Sequence, residues 1–415
     1  MSQASSTPPT KARRPLTDRL GVLGERNFRL FFIGYMTSIT GTMMVPVALT
    51  FAVLNQGGGA ADVGYVLGAE TIPLVGLLLI GGAVADRFTR RGSMLSADIV
   101  RLVSEGVLAA LLLTGSPPLW ILLILAGMLG AGQAFFDPAM TGLTPEMTSP
   151  DRLQQANALR GVATSAGLVI GPSLAGFVVA AAGPGWAIAI DSLTYGVSAA
   201  CLLCLDIAPR ARPRSSSLPA QLIQGWREFR SRTWLWLMVT QFATFNAFSF
   251  APFIVLGAVI AHRHLGGAGA WGDILATFGA GSIVGGLAAT RSHPARPLVA
   301  ATLGVATFAL PVTLLAIPAS TILISFAAGI GGAGNSVAGI FWETTLQREV
   351  PAAALSRVSS YDWLGSLAFV PLGYILAGPL AAILGIRVML LLSAGWAAAC
   401  SGAVLSSRSV RRLSR

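Results

Sequence analysis

Gly82-Ala-Val-Ala-Asp86-Arg87-Phe-Thr-Arg90-Arg91 lies where two long apolar runs, Val63–Ala85 and Met94–Thr114, meet. On insertion scales Asp and Arg at the centre of a bilayer each cost roughly 2.5–3.5 kcal/mol, so a charged cluster with such flanks belongs at a water interface. In a soluble chain the same residues would make an ordinary solvated turn. Here they form a short loop joining two helices that cross a membrane.

The remaining sequence extends this reading. Of its 415 residues 54% are hydrophobic and 11% charged, against about 25% charged in a soluble domain, and the mean hydropathy is +0.70. The chain is expected to be an all-α integral membrane protein. Segments long enough for a ~30 Å hydrocarbon core, roughly 20 residues each, can be laid end to end twelve times. They are Phe28–Leu54, Val63–Ala85, Met94–Thr114, Leu119–Ala139, Ala156–Ala181, Trp186–Ile207, Trp234–Ala261, Trp271–Ala289, Leu298–Ile317, Thr321–Trp342, Val358–Leu380 and Ala382–Leu405.

A net charge of +11 would point to nucleic acid in a soluble protein. Here the basic residues mark one side of the membrane instead. With the N-terminus inside, they fall on that tail, on the loops at Arg87–Arg91, Arg152, Arg210–Arg232, Arg291–Arg296 and Arg348–Arg357, and on Arg408–Arg415, leaving Arg263 and Arg387 outside. The asymmetry obeys the positive-inside rule and places both termini in the cytoplasm of a multi-pass plasma-membrane protein. Met1 to Arg26 has no apolar h-region, so it is not a cleavable signal. Residues 1–27 and 407–415 are expected as cytoplasmic tails, the first of them disordered. Cys201, Cys204 and Cys400 lie in apolar spans and read as packing residues rather than a disulfide or metal framework.

The sequence repeats itself at half its length. Gly285-Gly-Leu-Ala288 echoes Gly82-Ala-Val-Ala85, and Leu346–Ser360 echoes Leu143–Asn157 at the same offset. Two pseudo-symmetric six-helix halves follow, 28–207 and 234–406, joined by a basic linker at 208–233 that runs into an interfacial helix. A nucleic-acid role for the linker is less economical than attraction to anionic membrane lipid. The second copy of the charged loop has Ala289 where the first has Asp86, so the halves are functionally unequal.

The stretch "GGAVADRFTRRGSML" resembles the signature loop between helices 2 and 3 of the major facilitator superfamily, Gly-x-x-x-Asp-Arg-x-Gly-Arg-Lys/Arg. Gly82, Asp86, Arg87, Arg90 and Arg91 match it, and Thr89 stands where the family has Gly. Gly167-Leu-Val-Ile-Gly171-Pro172-Ser-Leu-Ala175-Gly176 resembles the Gly-x-x-x-Gly-Pro-x-x-Gly-Gly signature of the drug/proton antiporter branch, with Ala175 replacing one Gly. The strings "ERNFRLFFIG", "ADIVRLV", "FFDPAMTGLTPE", "LQQANALRG" and "PLGYILAGPL" are similar to the exporters related to macrolide-efflux and enterobactin-efflux proteins. The resemblance implies a major facilitator fold and makes Gly82, Asp86, Arg87, Arg90, Arg91, Gly171, Pro172 and Gly176 gate or conformational-switch residues. One departure bears on coupling: the Arg that many proton antiporters place in helix 4 would fall near Ala126, and none is there.

Acids inside spans are the default candidates for proton coupling. Asp98, Arg101 and Glu105 share one helical face, whereas Glu70 and Asp191 have no sequence-local partner. Glu70, Asp191 and Glu105 are therefore the coupling candidates, and Asp137 and Glu343 read as gate or interface residues near cytoplasmic ends. The resemblance implies a cavity lined by helices 1, 4, 7 and 10. Its mid-depth polar and soft residues are Ser38, Met43, Gln133, Gln241, Asn246 and Asn335, with Phe135, Phe242, Phe245 and Phe248 nearby. A greasy pocket with a few amides and no buried Arg or Lys suits a large amphiphile. His262 and His264 read as solvated on an outer loop, and Gly331–Gly334 as helix packing, without a phosphate cradle or Walker motif.

The expectation is a monomeric secondary transporter without cofactor or metal that exports a hydrophobic or amphiphilic small molecule, with protons as coupling ion. The alternatives are an importer or symporter of a small metabolite and a non-transporting receptor. An enzyme would need clustered catalytic groups at one interface, which three scattered histidines do not supply.

Overall fold

The computed structural model describes residues 21–87, 89–207, 226–317 and 319–413. Twelve long helices alternate across the molecule: α1 Arg26–Asn55, α2 Ala60–Arg87, α3 Arg90–Thr114, α4 Leu119–Met147, α5 Leu153–Ala182, α6 Pro184–Leu203, α7 Thr233–Leu265, α8 Ala268–Arg291, α9 Pro297–Ala316, α10 Thr321–Glu349, α11 Ala352–Leu367 continued as Val370–Leu384, and α12 Ile386–Ser406. Eleven of them contain segments long and apolar enough to cross a bilayer. The exception is α3, whose 25 residues suffice in length but carry Asp98, Arg101 and Glu105 in mid-span. All three are buried by neighbouring helices, so the charges are hidden from lipid by protein.

Each half repeats the same neighbours. α2 packs on α4 as α8 packs on α10, α3 on α6 as α9 on α12, and α1 on α6 as α7 on α12. Small residues permit the closest approaches. A Cβ at Gly130 would strike the Glu70 carbonyl of α2, and one at Gly285 the Ala333 carbonyl of α10. The repeat extends to its turns: Gly183 (φ 93°) joins α5 to α6 and Gly385 (φ 86°) joins α11 to α12, both in backbone that side-chain-bearing residues rarely adopt.

That second turn corrects the sequence expectation of a break near Ala381. Gly378-Pro379 stays inside α11, and the chain reverses at Gly385. Two further boundaries move. α4 continues through Pro138 and Pro145 to Met147 rather than ending at Ala139, which puts Asp137 well inside the helix. α7 continues to Leu265 through two π-helical turns, Asn246–Phe250 and Ala261–Leu265, so His262 and His264 stand on a helix end and not on a loop. Residues 1–20 of the expected tail and 208–225 of the linker lie outside the described residues; residues 21–27 of that tail are ordered instead, as a helical turn at Gly21–Gly24 and the start of α1. Residues 226–231 are helical, and Arg408–Arg411 form a last short helix.

Candidate functional site

The two halves meet along two seams, α2 with α11 and α5 with α8. The contacts of both seams lie toward the face opposite the chain termini. In the first, Gly64 faces the Tyr374 carbonyl and Gly378 the backbone of Ala60 and Ala61. In the second, a Cβ on Gly176 would sit 2.8 Å from the Ala268 carbonyl and 3.0 Å from Gly272 Cα. Toward that same face Val45, Val47–Leu54 of α1 and Ala251–Val259 of α7 are buried throughout, and Phe51 meets His262 edge-on at 5.9 Å. By contrast, the starts of α1 and α7 pack chiefly within their own halves. The molecule is thus sealed on the face away from the termini and parted on the basic face that carries them.

Helix α5 packs on both α1 and α8. Its Gly167 and Gly171 approach α1, the latter 2.5 Å (as an added Cβ) from Met43 Cβ, while Pro172 and Gly176 face Gly272 of α8. Met43 is also where α1 breaks between Thr42 and Val45. A bend in the central helix is therefore clasped by the Gly-Pro segment. Met43, expected in the cavity, packs against Gly171 there.

Inside the first half a charged cluster forms from three helices that sequence spacing does not connect. Arg101 pairs with Asp98 at 2.5 Å, and its guanidinium stacks between Phe136 of α4 and Tyr195 of α6 at 4.4 and 4.3 Å. Gly132 of α4 makes room for its stem, since a Cβ there would lie 2.7 Å from Arg101 Cγ. Glu105 and Asp191 are fully buried and lie against each other, with Glu70 within Coulombic range of both. The three coupling candidates are thereby brought into one region. Glu105 and Asp191 pair carboxyl to carboxyl, and beyond that contact neither oxygen of Glu105 has a hydrogen-bond partner. Asp191 does have a partner on its own helix, contrary to the sequence reading: Thr194 Oγ1 donates to its Oδ1 at 2.8 Å. Its carboxylate also fills the space left by Gly41 of α1. Tyr195 shares a 2.9 Å hydroxyl contact with Thr42. Thr194 and Tyr195 were missed, although their i+3 and i+4 spacing from Asp191 was a usable signal.

The proposed cavity residues divide. Gln133 and Asn335 lie about 180° round their helices from the exposed apolar stripes Trp120, Ile124, Met128 and Ile322, Phe326, Ile330, and so face the centre. Gln133 Nε2 reaches Asp137 Oδ2 at 3.4 Å. Gln241 does not face the cavity: it is buried and donates to Ser401 of α12 at 3.1 Å. Ser38 is buried and bonds back to Tyr35, and Asn246 donates to the Ser366 carbonyl of α11 at 3.1 Å. Phe242 and Phe245 pack inside the second half on Trp342 and Phe308, and Phe248 meets Trp396 of α12 edge-on. A half-buried arginine outside the expected set lies near Gln133 and Asp137. Arg160 of α5 donates to Thr144 of α4, lies 5.8 Å from the Tyr35 ring and is within Coulombic range of Asp137. It lies in the string "LQQANALRG", which reads in sequence only as a family likeness.

Around the charged loop, Thr89 caps α3 by accepting from Gly92 N at 3.1 Å, which replaces the expected glycine turn. Arg90 binds the Gly142 carbonyl and Glu146 of α4. Arg91 donates to the Leu202 and Leu203 carbonyls at 2.8 and 2.7 Å, capping α6. The side chains of Gly82, Asp86 and Arg87 lie outside the described residues. Cys201 packs beneath Gly34 of α1, and Glu343 on α10 accepts from Gln347 at 3.2 Å.

Residues 31–365 match the family profile described as Major Facilitator Superfamily. Among similar proteins, the multidrug efflux pump Tap of Mycolicibacterium fortuitum is 25% identical over 378 residues, 87% of this chain and 91% of Tap. The multidrug resistance protein MdtH of Yersinia enterocolitica is 31% identical over 134 residues, 32% of each chain. Of solved structures, the nucleoside transporter NupG superposes with a TM-score of 0.70 at 13% identity over 92% of this chain and 98% of NupG. A bacterial homologue of the human lysosomal transporter Spinster, in an inward-facing and unoccupied conformation, gives 0.69 at 15% over 97% and 99%.

Proposed function

The chain belongs to the major facilitator superfamily, and from that premise we propose that it exports a hydrophobic or amphiphilic small molecule across the plasma membrane by proton antiport. It is a secondary transporter, not an enzyme. The observation that carries the export reading is the one-sided opening. The halves are sealed by small-residue seams on one face and parted on the other, basic face, which the positive-inside rule makes cytoplasmic. The distant likeness to Tap and MdtH, whose names describe multidrug efflux, supports the same direction.

Alternating access follows from the two seams. Closing the basic face requires α2 and α5 to rock against α11 and α8, and the glycines there let backbones pivot in contact. Coupling is assigned to the Glu70–Glu105–Asp191 group. Asp191 touches α1 at Gly41, two residues before the bend at Met43 that Gly171 clasps, so a proton gained or lost there bears directly on the central helix. The substrate would lie between Gln133, Asp137 and Arg160 on one wall and Asn335 on the other. In the test, inside-out and right-side-out vesicles containing the purified protein receive a panel of amphiphilic fluorescent drugs and an imposed pH gradient. Export by antiport predicts accumulation in inside-out vesicles with acid interior and loss of accumulation when the gradient is reversed. Accumulation only with the reversed gradient would establish symport instead.

A further inference from the structure

Between α7 and α11, near the basic face, lies a groove of about 680 Å³, inside the ~300–1,000 Å³ range of small-molecule sites. Trp236 and Phe369 form its walls, and the helix at 226–231 closes one end. Trp226 and Phe229 rest on Tyr361 of α11 with ring centroids 5.6 and 6.0 Å apart. Arg230 is exposed at this end. The lining is otherwise greasy: Thr244 Oγ1 is spent on the Thr240 carbonyl of its own helix at 2.9 Å.

The groove opens sideways. Phe369 begins the exposed stripe Phe369, Leu372, Leu376 and Ile383 on α11, which points away from Tyr374, where α11 meets Gly64 of α2. Its mouth therefore meets hydrocarbon rather than the space between the halves. The cation at the end is the complement of a lipid phosphate. Arg232 is already paired with Glu228 at 2.7 Å, whereas Arg227 and Arg230 project from the same short helix with exposed side chains.

We propose that this groove binds one anionic phospholipid from the leaflet at the basic face, an acyl chain between α7 and α11 and the phosphate on Arg230. Such a lipid would tie the end of the linker to α11, one of the helices that must move when the basic face closes.

The full-length protein in phosphatidylcholine nanodiscs, doped with brominated phosphatidylglycerol or brominated phosphatidylcholine, tests this. Quenching of the emission of Trp226 and Trp236 is obtained by difference from a Trp226→Phe/Trp236→Phe variant. The anionic lipid should half-quench at about fivefold lower mole fraction, the ratio one basic residue gives at an anionic surface. In Arg230→Gln, an exposed position where folding is unaffected, that ratio should fall to near one. Equal quenching by both lipids in the unaltered protein, or a preference that survives Arg230→Gln, would leave the groove as ordinary lipid annulus and overturn the proposal. Protection from both lipids would overturn it too, because another molecule would then fill the groove.

Discussion

Arg101 and Glu105, one helical turn apart on α3, should respond to mutation in opposite ways. Arg101 neutralises Asp98 while its guanidinium lies between two aromatic rings. Removing one partner of a buried ion pair strands the other charge and costs about 3–5 kcal/mol. Arg101→Met should therefore lower the thermal unfolding midpoint of the detergent-solubilised protein sharply. Glu105 is paired only with the carboxyl of Asp191, a contact that a Gln amide keeps by donating to it, so Glu105→Gln should keep or raise that midpoint. If the two variants unfold alike, the cluster is one structural network without a division of roles. For coupling, Glu70→Gln and Asp191→Asn should each retain substrate-driven counterflow in vesicles and lose proton-driven uptake. Full proton-driven transport by both would place coupling elsewhere. The acids themselves were legible in the sequence because intramembrane charges are rare. Their meeting was not, since α2, α3 and α6 are brought together only by tertiary packing, and Arg160 does not look unusual one helix at a time.

At the scale of elements, glycine decides which helices slide on one another. A side chain at Gly272 would meet the Pro172 carbonyl at 2.5 Å and Gly176 Cα at 3.0 Å, both backbone atoms that cannot swing away. Gly272→Leu should pry open the α5–α8 seam on the sealed face and shift the population toward a form open there. Val53, 4% exposed on the sealed half of α1, is a reporter. Val53→Cys should resist a membrane-impermeant maleimide in the parent and react several-fold faster when Gly272→Leu is added. Unchanged reactivity would mean that this seam is not a gate. Asp86 carries a related proposal. At the basic face it would be drawn to the N-terminus of α11 when that face closes, an attraction of about 0.3–1 kcal/mol. Asp86→Asn should insert normally, transport poorly and leave Ser359→Cys more accessible; unchanged accessibility with normal transport would make the loop a solvated turn. Helix existence was readable from apolar length. Helix ends were not, because Pro138, Pro145 and Pro379 look like stops and are carried inside packed helices, while the chain turns at positive-φ glycines after α1, α5, α7 and α11.

For the molecule as a whole, the sidedness of the membrane decides what the one-sided opening means. Twelve crossings place Gly21 and Leu413 on the same face, together with the Arg90, Arg152 and Arg232 ends of the helices, while Arg263 and Arg387 lie at the other. Basic residues translocate poorly, so the crowded face should be cytoplasmic. The structure then exposes its cavity to the cytoplasm, the state in which an exporter loads. Two single-cysteine reporters test this without strain: Ser231→Cys beside α7, and His264→Cys at the far end of the same helix, both exposed. His264 is preferable to Gly267, whose φ of 81° would strain a cysteine. In intact cells a membrane-impermeant maleimide should label the cysteine at 264 and spare that at 231; inverted vesicles should give the reverse. Labelling of 231 from outside would turn the molecule over. The same parted face would then open outward, and the structure would represent the releasing state of an exporter or the loading state of an importer.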